Sequence, residues 1–208
     1  MSKLKRFFEE MTKEKAPGPS PTFTLFHLLH ALELIAEKPI GRSKLAENLN
    51  VGEGTARTII ERMRNADLVT ISKAGCALTP KGVRLWKEYK SVFQKRIEIE
   101  KSELAFADYN FAMLIKNRGN KVKSGVEQRD AAVMAGAKGA TTMVFKEGRL
   151  TIPSVSGDVL KDFPRVANQI VRLLDPKAND VIIIGSAKSS TEAIYGTLAA
   201  AWTLLDDC

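Results

Sequence analysis

Arg42-Ser-Lys-Leu-Ala-Glu-Asn-Leu-Asn-Val-Gly-Glu-Gly-Thr-Ala-Arg-Thr-Ile-Ile-Glu-Arg-Met-Arg-Asn-Ala-Asp-Leu-Val-Thr-Ile-Ser-Lys-Ala-Gly-Cys-Ala-Leu-Thr79 is the stretch that decides the fold. Ser43 reads as the N-cap of a short helix whose apolar face is Leu45, Ala46 and Leu49. Asn50-Val-Gly-Glu-Gly54 reads as a tight turn, because glycine reaches backbone angles that other residues resist. A second helix is predicted over 53–66. Its Ala56, Ile60 and Met63 recur at i, i+4 and i+7 with Ile59 beside them, so one side is built for a core. Thr55, Arg57, Thr58, Glu61, Arg62 and Asn65 take the remaining positions, and such hydroxyl, guanidinium and amide groups bond to base edges and phosphates. Leu68-Val-Thr-Ile-Ser72 and Cys76-Ala-Leu-Thr79 are two short strands around Lys73-Ala-Gly75, a glycine turn with a lysine at its tip.

Helix, turn, helix and basic hairpin make a winged helix-turn-helix, whose second helix enters the major groove of DNA while the hairpin reaches the neighbouring backbone or minor groove. On that reading Arg42, Ser43, Lys44, Glu53, Gly54, Thr55, Arg57, Thr58, Arg62 and Lys73 form the DNA-binding set. Thr55, Arg57, Thr58 and Arg62 would face DNA from the reading helix, with Arg42, Lys44 and Lys73 on phosphates.

Charge placement supports this more than charge magnitude does. The formal net charge of +8 falls almost wholly in the first part of the chain: 17 Lys+Arg against 10 Asp+Glu up to Lys95, then 15 against 14 from Arg96 onward. A charge meant only for solubility has no reason to segregate, whereas a phosphate-binding face does. The length of 208 residues accommodates two small domains. Two cysteines, Cys76 and Cys208, make neither a disulfide framework nor a metal cage, and no stretch reads as a signal peptide or membrane span. The expected location is the cytoplasm.

Residues 1–21 read as an arm: an amphipathic helix with Leu4, Phe7, Phe8 and Met11 on one face, ended by Ala16-Pro-Gly-Pro-Ser-Pro21. Residues 22–95 are the winged domain. Its first helix, 23–37, carries an apolar stripe of Phe23, Phe26, Leu29, Leu32 and Ile35. His27 and His30 lie on this helix without the further ligands a metal needs. Ile40 suits the short strand that pairs with the hairpin. Thr79-Pro80 opens a helix to about residue 94. Its Val83, Trp86, Tyr89 and Phe93 either pack back on the winged core or pair with a second copy.

From Arg96 the pattern becomes ββαββα followed by βα: strands over 96–104 and 109–116, a helix over 124–135, strands over 140–145 and 149–153, a helix over 158–174, a strand over 180–185 and a closing helix over 190–205. Paired strands between helices predict an α+β fold, a two-layer sandwich with an added strand and helix, for residues 96–208. Dimerisation is its expected role, alone or with sensing of a small anionic or polar effector. The candidate ligand loop is Ser186, Lys188, Ser189, Ser190 and Thr191, for which a plain helix cap is the alternative. Arg129-Asp-Ala-Ala-Val-Met-Ala-Gly-Ala-Lys-Gly-Ala140 is a second place of interest, with a tight helix-to-strand turn as its simpler reading. No Ser/His/Asp set is present and no histidine follows His30, so neither an enzyme nor a cofactor is expected.

Ile40-Gly-Arg42, Leu45-Ala-Glu47, Gly52-Glu-Gly-Thr-Ala-Arg-Thr58, Leu78-Thr-Pro-Lys-Gly82 and the Arg129 to Ala140 stretch resemble an archaeal family of predicted transcriptional regulators. Its members join an N-terminal winged helix to a C-terminal domain of unassigned function. The resemblance implies a C-terminal fold similar to the small ββαββα insert of bacterial aspartyl-tRNA synthetases and carries over no catalytic residues. The expectation is a homodimeric, sequence-specific regulator of double-stranded DNA. The rivals are an adaptor that docks RNA or protein, and a small-molecule-modifying domain fused to a winged helix.

Overall fold

The structure, a computed structural model, describes residues 3–13 and 22–205, in two compact units, Met1–Lys90 and Ser91–Cys208. Ala16 to Pro21 and Cys208, named above, lie outside the described residues. Among those described, no helix is long and apolar enough to cross a membrane.

In the first unit, α1 (Lys3–Thr12) buries Leu4, Phe8 and Met11, and α2 (Leu25–Glu37) buries Leu28, Leu29, Leu32 and Ile35. Helix α2 opens with a capping box in which Thr24 is the cap and the histidine at N3 answers it: His27 Nδ1 accepts the Thr24 N–H at 3.0 Å. The box thus explains His27, and His30 meets Glu33 at 3.2 Å, so both histidines serve the helix they stand on. Helix α3 (Arg42–Leu49) is capped by Gly41, not by Ser43, which lies inside the first turn. Asn50 then turns left-handed (φ 52), and α4 (Glu53–Asn65) follows, burying Ala56, Ile59, Ile60 and Met63.

The hairpin pairs β1 (Val69–Ser72) with β2 (Gly75–Leu78) in the register Val69↔Leu78. Ile40 is its third member, exchanging two backbone bonds with Cys76 at 2.8 and 3.1 Å. Gly75 is required at the join: its φ is +113, and a Cβ there would stand 2.6 Å from the Ile40 carbonyl. Thr79 caps α5 (Pro80–Val92), accepting the Gly82 N–H at 3.0 Å and donating to Asp67 O at 2.6 Å. Tyr89 is buried and donates to Glu33 of α2 at 2.8 Å, so the aromatic face of α5 packs back on its own unit at that point.

The second unit is a five-stranded antiparallel sheet in the order β3-β4-β7-β5-β6. The strands are β3 (Phe93–Glu98), β4 (Tyr109–Ile115), β5 (Gly139–Lys146), β6 (Arg149–Thr151) and β7 (Val181–Ala187). Helices α6 (Val126–Met134) and α9 (Ser190–Trp202) cover one face, where Gly185 faces Ala193 and Thr197 of α9. The other face carries α7 (Val159–Asp162) and α8 (Pro164–Leu174), whose Val166, Ala167, Ile170 and Leu174 join Ala112, Leu114, Ile182 and Ile184 in one core. The α+β class stands, with helices adding a layer to the two-layer sandwich read from the strand order. The physical reason is β7: all seven residues are buried, so both its faces need cover.

Several element boundaries differ from the sequence reading; the strand expected over 96–104, for one, ends at Glu98. The helix expected over 158–174 breaks at Phe163 (φ −137), because Pro164 has no N–H and disfavours helical backbone before it. Strand β3 begins at Phe93, three residues earlier than expected, and the Phe93 ring stacks on Trp202 at 6.1 Å instead of extending the face of α5.

A Cβ on Gly82 would lie 2.1 Å from the Leu68 carbonyl oxygen, whereas Gly54 has open space around it. Gly82→Ala is therefore expected to destabilise the winged unit by about 2–3 kcal/mol. Gly54→Ala should be neutral or stabilise by up to about 1 kcal/mol; chemical denaturation of both variants checks the contrast. Burial first, and the neighbouring His30 second, hold the His27 imidazole below its ordinary 6.5. Protonation is thus disfavoured in the folded state, so stability is full above that value and declines as pH falls through it. His27→Gln keeps the capping box and should flatten that slope, read as the thermal midpoint between about pH 7.5 and 5.5.

Candidate nucleic-acid interface

Helix α4 lies with its apolar side in the core, which turns Thr55, Arg57, Thr58, Glu61 and Arg64 outward or toward the hairpin. Between α4 and the hairpin runs a groove of about 610 Å³, walled by Ile60 and Ile71 and lined by Arg42, Arg57, Arg64 and Lys73, with Glu61 the carboxylate among them. These four cations come from three elements that share no local sequence: the start of α3, the outer side of α4 and the tip of the wing.

Carboxylates hold the arginines in place. Arg57 Nε donates to Glu61 at 3.1 Å, and Arg42 donates to Glu53 at 3.0 Å. Ser43 donates to the other oxygen of Glu53 at 2.7 Å, so the first turn of α3 is fastened to the first turn of α4. The Ser43 hydroxyl, then the Arg42 charge, keep the Glu53 carboxyl below its usual range. These exposed pairs contribute little to stability; their effect is on geometry. Lys44 pairs with Glu47 at 2.8 Å, and Thr58 donates back to the Gly54 carbonyl at 3.1 Å.

The structure separates Arg62 from the other predicted readers. Its guanidinium donates to the backbone carbonyls of Met11 at 2.5 Å and Lys13 at 2.8 Å, and lies over the Phe23 ring at 5.1 Å. Arg62 thus ties the end of α1 to α4. Thr55, on the first turn of α4, meets Thr22 at 2.8 Å. Sequence reading missed Arg64, although Arg57, Glu61 and Arg64 at i, i+4 and i+7 form one stripe that would have found it.

The loop at the end of β7 is in a different condition. Ser189 is the N-cap of α9 and accepts the Glu192 N–H at 3.3 Å, which is the simple capping arrangement. Ser186 is fully buried in β7, while Lys188 is exposed and Ser190 and Thr191 are half-buried. The loop's residues are therefore divided between the core and the helix start. Among the described residues no group of three or more His, Cys, Asp and Glu is placed to hold a metal ion.

Two family models match separate parts of the chain. Residues 24–93 match the family described as the CggR N-terminal DNA binding domain, so the first unit is similar to a DNA-binding domain. Residues 106–204 match a domain of unknown function, DUF4443. Among solved structures, the hypothetical protein PH0730 from the archaeon Pyrococcus horikoshii OT3 is 28% identical. The likeness spans 88% of this chain and 92% of that one, with a TM-score of 0.73. No curated protein matches the chain.

If Arg62 fastens α1, Arg62→Ala should speed amide hydrogen exchange across Lys3–Thr12, as local opening becomes easier. Arg57→Ala should leave that exchange unchanged. Equal exchange in the two variants would remove the fastening role.

Proposed function

We propose that this protein is a sequence-specific, double-stranded-DNA-binding transcriptional regulator that works as a homodimer. The observation that carries the reading is the convergence of Arg42, Arg57, Arg64 and Lys73 on the groove between α4 and the hairpin. Similarity of residues 24–93 to a DNA-binding domain gives that convergence its context.

Arg57, Thr58 and Thr55 take the role of base readers on α4, since guanidinium and hydroxyl groups at the major-groove edge discriminate bases. Arg42, Lys44, Lys73 and Arg64 take phosphates, which set position and affinity. Gly54 lets the backbone approach closely at the helix start. Glu53 and Ser43 hold α3 and α4 in register, and Arg62 supports from behind. On arrival at DNA, Arg57 exchanges Glu61 for a base edge or phosphate, so a carboxylate next to the reader penalises partners that cannot replace it. The C-terminal unit brings two copies together, because one winged helix covers a short site and two-fold operators extend it.

Selection of bound duplexes from a random pool at near-physiological salt tests the proposal. Wild type should enrich a two-fold motif. Arg57→Ala should lose about 1–3 kcal/mol of preference at one position per half-site. Lys73→Ala should weaken all sequences alike and lower the salt slope by about 1. Binding without enrichment that vanishes as salt rises would overturn the reading in favour of an adaptor.

A further inference from the structure

Helix α6 presents one continuous exposed stripe: Val126, Arg129, Asp130, Val133 and Met134, spaced as one side of a helix. Its opposite side is spent inward, with Ala132 buried and Gln128 donating to Thr203 at 2.7 Å. The apolar members of the stripe stand far out in solvent: Val126 is 46%, Val133 49% and Met134 89% exposed. A methionine that exposed at the end of a packed helix has no use within the unit. Beside Val126 is a hollow of about 280 Å³, lined on its apolar side by Leu104, Ile152, Pro153 and Val155 and elsewhere by Arg129 and serine and threonine hydroxyls, with Val155 itself 71% exposed.

The stripe is arranged about its own middle. Val126 lies three and four residues before Arg129 and Asp130, Val133 lies four and three residues after them, and Met134 stands one residue further on. Arg129 and Asp130 carry opposite charges and touch at 2.9 Å within the chain. With one cation and one anion at its centre, and the exposed Glu127 beside them, the surface mates with an inverted copy of itself. Laying two α6 helices antiparallel sets each Arg129 against Asp130 of the second copy. The same operation sets each Val126 against Val133 and Met134 of the second copy. The protruding methionine and the hollow then meet twice, as an isologous contact requires.

We propose that a second copy of this chain docks on α6 across a two-fold axis passing between Arg129 and Asp130, with Met134 of each copy entering the hollow beside Val126 of the other. The proposal gives the dimer of the preceding reading its surface, and its test does not depend on DNA.

The full-length chain is taken in a Cys208→Ser background, where Cys76 is buried. Val126 and Met134 are eight residues apart, about 12 Å along the helix, too far for a disulfide within one chain. Val126→Cys/Met134→Cys should therefore oxidise to a covalent dimer, and neither single variant should. In light scattering, wild type should be dimeric and Val133→Glu/Met134→Glu should associate at least tenfold more weakly with unchanged circular dichroism. Arg129→Asp and Asp130→Arg should each weaken the dimer, and the double exchange should restore it. A monomeric wild type, or a dimer that all these variants leave intact, would overturn the proposal. The glutamate variant separates the two readings: it should lose the two-fold motif yet keep enrichment of a half-site. Loss of all DNA preference in wild type would instead remove the regulator reading while leaving the cross-link result to stand alone.

Discussion

The burial of Ala56, Ile59, Ile60 and Met63 along one side of α4 is the constraint that orders the rest of the first unit. Once those four are in the core, the helix cannot rotate, and the direction of every other side chain follows from about 100° per residue. Arg57 and Arg62 are five residues apart and so point about 140° away from each other. One reaches the groove beside the wing, the other the backbone of the preceding arm. Arg57, Glu61 and Arg64 fall within about 60° of one another and share a side. The division of labour among the arginines is thus set by four apolar side chains that never leave the core.

That geometry also explains what could be read in the sequence. The hydrophobic spacing was enough for α2, α3, α4, the hairpin and the proline-started α5, and Ile40 took its place against Cys76. The cluster of Arg42, Arg57 and Lys73 around one groove was likewise legible, because helix, turn and wing have a narrow range of mutual placements. Roles that depend on a remote partner were not legible. Ser43 looks like a cap, yet Gly41 takes the cap and Ser43 bonds to Glu53, ten residues on. Arg62 looks like a reader, yet the acceptors that engage it are carbonyls about fifty positions earlier, at Met11 and Lys13. Polar side chains choose among many acceptors, and local pattern cannot rank choices that lie far along the chain.

In the second unit the legible signal was β7. Val181-Ile-Ile-Ile184 has no polar alternation, which marks a buried strand, and it pairs on both edges with β4 and β5. Its full consequence, cover on both faces, was within reach of the same observation. Where this strand starts, Asp180 is almost wholly buried and still well provided for. It accepts from the Lys116 ammonium at 2.8 Å, the Asn117 N–H at 3.0 Å and the Lys177 N–H at 2.8 Å. A buried carboxylate with an opposite charge and two amides is tolerable, and removing any of them would leave it short. Asp180 is where loops that the sequence left undefined converge, so a single charge organises that end of the sheet.

Cys76 lies on β2 one pair from the turn of the wing, buried, with its thiol held above its ordinary range by that burial. Both of its backbone groups are bonded to Ile40. Thiol reagents need a thiolate and an open path, and the closed hairpin supplies neither. Modification of this sulfur therefore proceeds through moments when the hairpin parts from Ile40, and its rate counts those moments. The wing carries a native stopwatch for its own opening.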